Sequence, residues 1–425
     1  MRPVDPTRDL LAAWLRAAFR PECPEALRED LSRLASSPDS PGADPEALFE
    51  RAHAQGIAPL LHASLERWGL PAGQGPFAPF AQAWAATLRQ NLLHLEEIGR
   101  VTTRLAEEGM ESILLKGSAL LLSLYEHPAL RPMGDVDLLV REPDTPRAMA
   151  AAESLGYTLL RKGRRAELLA TNHEIELART LLDGTRLYLE IHWRLAPREA
   201  LWRGPVEEPR GIWRDALPSG DPAIPARVPA PEDAIVLAAL HLGRHVFSRA
   251  LWLCDVSLLA ESPELLWEDV ITKAGERDAT FALWATLEGA RALCGAEVPG
   301  VVLAATRPGR VRSAAIGACL DREGHFGARA ALAEESLPPN RRYGLKALLH
   351  RDTFAALGSV LGVLFPSDAW LRARYAPDRD VPAATLRLGH LATAFRLALV
   401  SRAPASPPRK SVSCASGRPA AGARL

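Results

Sequence analysis

The sequence has 425 residues, 48% apolar and 24% charged, with 51 basic and 51 acidic side chains and no formal net charge. That length suits roughly two or three domains with sizeable cores, and the balanced charge argues against a broad nucleic-acid-binding surface, leaving at most a local basic groove. Five scattered cysteines without Cys-x-x-Cys spacing give no support to a zinc site or a disulfide framework and predict a cytoplasmic setting.

The start, Met1-Arg-Pro-Val, carries no apolar signal core. The run 353–365 is too short to span a bilayer and 113–124 is interrupted by Lys116, so no membrane association is expected. Leu10, Leu11, Trp14, Leu15 and Phe19 form an apolar stripe at helical spacing, repeated around 25–35 and 45–68. A Gly/Pro-rich linker over 70–79 precedes a long helix predicted from Phe80 to Glu108, with Leu88, Leu92, Leu95, Ile98, Val101 and Leu105 buried and Gly109 as its stop. Residues 1–108 thus read as a helical region without chemistry of its own.

The pattern then changes. Ser112 to Leu115 reads as a strand, Lys116-Gly117-Ser118 as a turn, Ala119 to Tyr125 as a helix, and Val136 to Val140 as a strand. Pro146 to Leu155 is a second helix, and Tyr157 to Leu160, His173 to Arg179 and Arg186 to Trp193 are further strands. Strands mixed with helices predict an α+β core over 109–200. The chain is Pro-rich and irregular from Trp202 to Pro231, then helical to about Val400, which defines a C-terminal helical region over 201–400. The tail, 401–425, has five basic and no acidic residues and is expected to be disordered.

The chemistry concentrates in the α+β core. On a strand, Asp135 and Asp137 point to the same side, while Val136, Leu138 and Val140 face a core. Two adjacent carboxylates repel unless a cation lies between them, and divalent magnesium takes such oxygen ligands. Removal of Asp137 should therefore leave the metal-free protein equally or more stable. Gly117 lets backbone N–H groups approach a phosphate at a helix start, and Ser118 adds a hydroxyl, or serves as an ordinary N-cap. Arg186, Tyr188, Glu190 and His192 share one face of the last strand, which makes Glu190 the candidate third carboxylate, with Glu174 or Glu176 as alternatives. Lys116 is a rare choice, because only five of the basic residues are Lys, and its compact ammonium suits a phosphate or carboxylate in a tight space. Arg131 contacts a phosphate or an acidic neighbour, and His192 bonds substrate, orients Glu190 or is structural. His241 and His245 share a helix face without a third metal ligand and read as structural or as substrate wall. Asp255 reads as a cap or as the partner of Arg249.

A Gly-Ser turn, a helix, Asp-x-Asp on a strand and an acidic residue on a later strand resemble the DNA polymerase β-like nucleotidyltransferase superfamily. More narrowly, Leu115-Lys-Gly-Ser118, Arg131 before Gly134-Asp-Val-Asp137, and Glu190-Ile-His-Trp193 look like a branch of uncharacterised bacterial nucleotidyltransferases, over about Ala52 to Tyr375. The resemblance implies a polymerase β-like core flanked by helical regions. It implies magnesium, or manganese, held by Asp135, Asp137 and Glu190, and a nucleoside triphosphate contacted by Lys116, Gly117, Ser118, Arg131 and His192. A nucleoside monophosphate would pass to an acceptor hydroxyl, on a small molecule or protein in preference to a long RNA. The alternative is a non-catalytic regulatory protein of the same fold that binds a nucleotide or a partner.

Overall fold

The computed structural model describes residues 5–37, 42–160, 165, 168–169, 172–195, 210–319, 339–351, 353–376 and 381–399. Four short amphipathic helices open the chain: α1 (Pro6–Ala17), α2 (Glu25–Ser36), α3 (Pro45–Ala54) and α4 (Ala58–Arg67). Asp5 and Asp44 cap α1 and α3, their carboxylates accepting first-turn N–H groups ahead of a Pro that has none to offer. Helix α5 (Ala78–Glu107) has 30 residues, which makes it about 45 Å long. Its mid-section departs from the expected apolar face. Leu92 is 53% exposed, whereas Asn91 and His94 are fully buried. The reason is polar anchoring: the Asn91 amide donates to the carbonyls of Pro128 (2.6 Å) and Arg131 (2.7 Å), tying a loop to the helix.

The α+β core follows: β1 (Ser112–Leu114), α6 (Lys116–Ser123), β2 (Val136–Val140), α7 (Thr145–Ser154), β3 (Thr158–Leu159), β4 (Glu174–Thr180) and β5 (Arg186–His192). Helix α6 begins three residues earlier than its apolar run suggests, taking in the whole Lys-Gly-Ser turn. The Pro-rich stretch is not wholly irregular. It holds a short helix α8 (Arg210–Asp215) and two strands, β6 (Leu217–Pro218) and β7 (Arg227–Val228), too short to show an alternation. The seven strands form one mixed sheet in the order β3-β4-β5-β2-β1-β7-β6.

The sheet has two different faces. Val136, Leu138, Ile175, Leu177, Leu189 and Ile191 pack against Ile98, Val101 and Leu105 of α5 and Ala148, Met149 and Ala152 of α7. The opposite face is polar along β2, β4 and β5. Toward β1 it is closed by Ile113, Leu115 and Leu139 under Ile212 and Trp213.

Beyond the sheet lie α9 (Pro231–Arg244), α10 (Ala250–Ala260), α11 (Trp267–Glu276) and α12 (Thr280–Cys294), with further helices between Gly300 and Leu399. Leu11, Trp14, Leu31, Leu61 and Phe80 from the first helices share one core with Leu242, Phe247, Leu253 and Leu283 from α9 to α12. Helix α5 enters that core through Phe80 and reaches the sheet through Leu105, so one element spans both cores. Among the described residues no helix is long and apolar enough to cross a membrane. The tail expected over 401–425 lies outside the described residues.

Candidate active site

The sheet register brings the acidic residues together. Strands β2 and β5 run parallel with Asp137 opposite Glu190 and Leu139 opposite His192. Strands β4 and β5 run antiparallel with Glu176 opposite Glu190 and Glu174 opposite His192. Directly paired residues share a face, so Asp137, Glu190, His192, Glu174 and Glu176 form a polar band across three strands. Asp135 lies one residue before β2, half-buried.

Within the band the contacts are close. The Lys116 ammonium donates to Asp137 Oδ1 at 2.5 Å and to Glu190 Oε2 at 3.3 Å. His192 Nε2 lies 3.0 Å from Asp137 Oδ1 and 3.4 Å from Glu190 Oε2. Its Nδ1 lies 3.1 Å from Glu174 Oε2, and His173 Nε2 lies 3.1 Å from the same oxygen. Arg244 of α9 approaches His173 Nε2 at 3.3 Å, which links a C-terminal helix to the band. In the same last turn of α9, His241 packs 4.4 Å from the Trp252 ring, and His245, which caps the helix, lies 5.3 Å from it.

These contacts set the protonation of each group. Burial pushes the Asp137 carboxyl up, but the Lys116 charge and the His192 hydrogen bond overcome it and hold the group well below its usual range. Asp135 has the opposite balance. Burial, then the Asp137 and Glu190 charges, raise it to about 7 against a smaller pull from Lys116 and His192. Burial and the Lys116 charge lower His192, yet its bonds to Asp137 and Glu190 and the Glu174 charge leave it above its ordinary value. Burial raises Glu174, but the two histidines beside it hold it low. His241 stays neutral, lowered by burial and by His245, Lys116 and nearby arginines.

Beyond the Lys116 contacts, the first turn of α6 positions the band through its backbone and Ser118. Ser118 is fully buried, and its Oγ accepts the Asp137 backbone N–H at 3.0 Å. The Leu115 N–H donates to the Asp137 carbonyl at 3.0 Å, so α6 and β2 are stitched on both sides of Asp137. Neither sequence expectation for the Ser118 hydroxyl, phosphate donor or N-cap, describes this geometry; no side-chain hydrogen bond caps α6. Arg131 takes the acidic-neighbour alternative. Its fork donates from Nε and Nη2 to the two oxygens of Asp255, both at 2.8 Å, and Tyr125 Oη donates to the same carboxylate at 2.7 Å. All three are buried, and the Arg131 fork is committed to Asp255. Gly117 lies against that guanidinium, where a Cβ would come within 2.5 Å of Arg131 Nη1.

Among the described residues, two groups of acidic and histidine side chains have ligand atoms within 4.8 Å of one another: Asp137, Glu190 and His192, and His173, Glu174 and His192. The first fits a divalent cation. It offers two carboxylates and an imidazole, and a positive charge, the Lys116 ammonium, already lies between the carboxylates. Carboxylates suit magnesium and manganese. Of the three expected metal ligands, Asp137 and Glu190 belong to this group. Asp135 stands close enough to feel their charge without belonging to it. His192 takes the third place. The roles of Glu174, His173 and Arg244 around His192 were missed in the sequence, although one signal was present. A turn centred on Asp183-Gly184, with Gly184 at φ +86, places Glu174 opposite His192 and Glu176 opposite Glu190.

No curated protein matches the chain. The family model of the uncharacterised nucleotidyltransferases covers residues 41–295, which takes in the whole polar band, α6 and the helices through α12. More than half of the chain is matched, and the chain belongs to that nucleotidyltransferase family.

Proposed function

We propose that this protein transfers a nucleoside monophosphate from a nucleoside triphosphate to an acceptor hydroxyl, with a divalent cation held by Asp137, Glu190 and His192. The observation that carries the reading is the register of β2 and β5, which aligns Asp137 with Glu190 beside the start of α6. A divalent ion there would neutralise the triphosphate and the charge that develops during phosphoryl transfer. The chain's own residues do the rest. Glu174 stands behind His192 and orients its ring, as carboxylates do behind metal-binding imidazoles. The Ser118 hydroxyl and the Leu115 N–H fix the backbone of Asp137. Asp135 stands beside the reacting centre as an additional carboxylate. The first turn of α6 offers backbone N–H groups and the positive end of a helix dipole to a phosphate. Arg131 serves this arrangement as a positioning residue, through Gly117 and Asp255, rather than as a phosphate ligand.

The acceptor is a small molecule or a protein. The test has two arms. In thermal melts, magnesium or manganese with a nucleoside triphosphate should stabilise the wild type by about 2.7 kcal/mol at a hundredfold excess over Kd, and Asp137→Asn should abolish that gain. In parallel, α-labelled nucleoside triphosphates and fractionated cell extract should yield a labelled acceptor. Metal–nucleotide binding without any label transfer would favour the regulatory, non-catalytic reading. Absence of both would end the nucleotide reading.

A further inference from the structure

Lys116 is placed unlike a surface lysine. It is the first residue of α6 and has a φ of +48°, a left-handed backbone that a residue with a Cβ adopts only at a cost. Its ammonium bonds Asp137 Oδ1 and Glu190 Oε2, two of the atoms that bound the volume where a divalent ion fits. Its side chain is 29% exposed, against 2% for Asp137, so it reaches into the site from the open side.

We propose that Lys116 is a resident counter-cation that excludes a lone metal ion and yields the carboxylates only when metal and triphosphate arrive together. The proposal rests on the nucleotidyltransferase reading of the site. A metal entering alone would displace the ammonium from the two carboxylates it bonds and leave it short of hydrogen-bonded counter-charge in a largely buried place, which is costly. A metal accompanied by a polyphosphate brings that partner with it. The ammonium then passes from carboxylate to phosphate on its flexible stem, a transfer for which lysine is better shaped than the planar fork of arginine. Metal and nucleotide therefore bind with positive coupling, and by reciprocity each raises the affinity for the other. Lys116 is thus a positioning residue for the order of binding. The metal-free site, meanwhile, does not carry two unneutralised carboxylates.

The experiment titrates manganese into the full chain by electron paramagnetic resonance, with and without each of the four α,β-methylene nucleoside triphosphates. Wild type, Lys116→Met and Lys116→Gly are compared. Met keeps the length of the stem without the charge, and Gly also accepts the left-handed backbone without strain. The wild type should bind manganese weakly alone and at least roughly tenfold tighter with a nucleotide analogue. Both variants should bind manganese alone at least roughly tenfold tighter than the wild type and lose most of the nucleotide coupling. If the variants fold and bind manganese no tighter than the wild type, while the wild type still binds the metal–nucleotide pair, the counter-cation role falls and the nucleotidyltransferase reading stands. If the wild type binds neither, both fall. If neither variant folds, the lysine belongs to stability and the proposal is overturned.

Discussion

Asp135 and Asp137 are two residues apart and have opposite electrostatic balances. The side-by-side repulsion expected of the pair falls on Asp135, raised to about 7 by burial and by the charges of Asp137 and Glu190. Asp137 is instead satisfied by Lys116 and His192. The signs follow. A carboxyl whose folded pKa is raised contributes stability that is fully present below its unfolded value and is lost as pH rises through the folded one. At pH 8 Asp135 is therefore ionised at a cost, and Asp135→Asn should stabilise the metal-free protein by about 1–3 kcal/mol, an advantage that shrinks toward pH 5. Asp137, with its pKa depressed, contributes stability above its unfolded value and loses it as pH falls. Asp137→Asn removes the shared acceptor of a buried ammonium and imidazole and should cost about 3 kcal/mol at pH 8. Urea melts of both variants at pH 5 and 8 check this, and shifts of the same sign at pH 8 would reject it. The alternation of Val136, Leu138 and Val140 made the pair's location legible in the sequence. Which member bears the repulsion was not legible, because the deciding charge, Lys116, comes from the preceding strand–helix turn.

At the scale of elements, the site depends on how α6 is held. Arg131 lies across Gly117, grips Asp255 of α10 with two bonds and hangs from Asn91 of α5 by its carbonyl. This knot joins four parts of the chain around the first turn of α6. Asp255→Asn leaves a buried guanidinium short of its counter-charge and should destabilise by about 3–5 kcal/mol. Gly117→Ala drives a methyl into Arg131 and should cost about 1–3 kcal/mol. In both variants the start of α6 shifts, so metal–nucleotide affinity should fall although neither side chain reaches the carboxylates. Melts and nucleotide titrations read both effects; wild-type affinity in a destabilised Asp255→Asn protein would show that the knot does not position the site. The strands of the core were legible because their alternation is clean, and α6 was legible apart from its first turn. The Arg131–Asp255 pair was not, because its partners are separated by 124 positions and nothing local marks Asp255 among other helical acids. Strands β6 and β7 escaped for another reason: two residues cannot display a period.

On the scale of the whole molecule, the sequence divides into helical, mixed and helical regions, yet the first and last of these share a core. The Arg16 guanidinium donates to the Ala292 carbonyl at 2.6 Å, and the Gln55 side chain accepts the Ala250 N–H at 2.7 Å. Gly56 and Gly295 are close-approach points, where a Cβ would lie 3.1 Å from Leu251 and 3.3 Å from Arg16. Such pairings are invisible to a reading that moves along the chain, because each helix shows only that it has an apolar face, not which face covers it. The mixed region in turn depends on its neighbours. Helix α5, which lies before residue 109, covers the apolar side of the sheet through Ile98, Val101 and Leu105. Excision of 109–200 would uncover Val136, Leu138, Leu189 and Ile191. At about 1.5–3 kcal/mol for each large apolar side chain returned to water, the loss over these four is about 6–12 kcal/mol, comparable to the roughly 5–15 kcal/mol by which a domain is stable. The fragment 109–200 should therefore lack a cooperative thermal transition, while 78–200, which restores α5, should recover part of it. Deletion of residues 1–77 from the full chain should expose the core that α9 to α12 share with the first helices and lower the melting temperature of the remainder. Circular dichroism and proteolysis of the three fragments measure this. A fragment 109–200 that melts cooperatively would establish the mixed region as an independent domain and reject the dependence on α5.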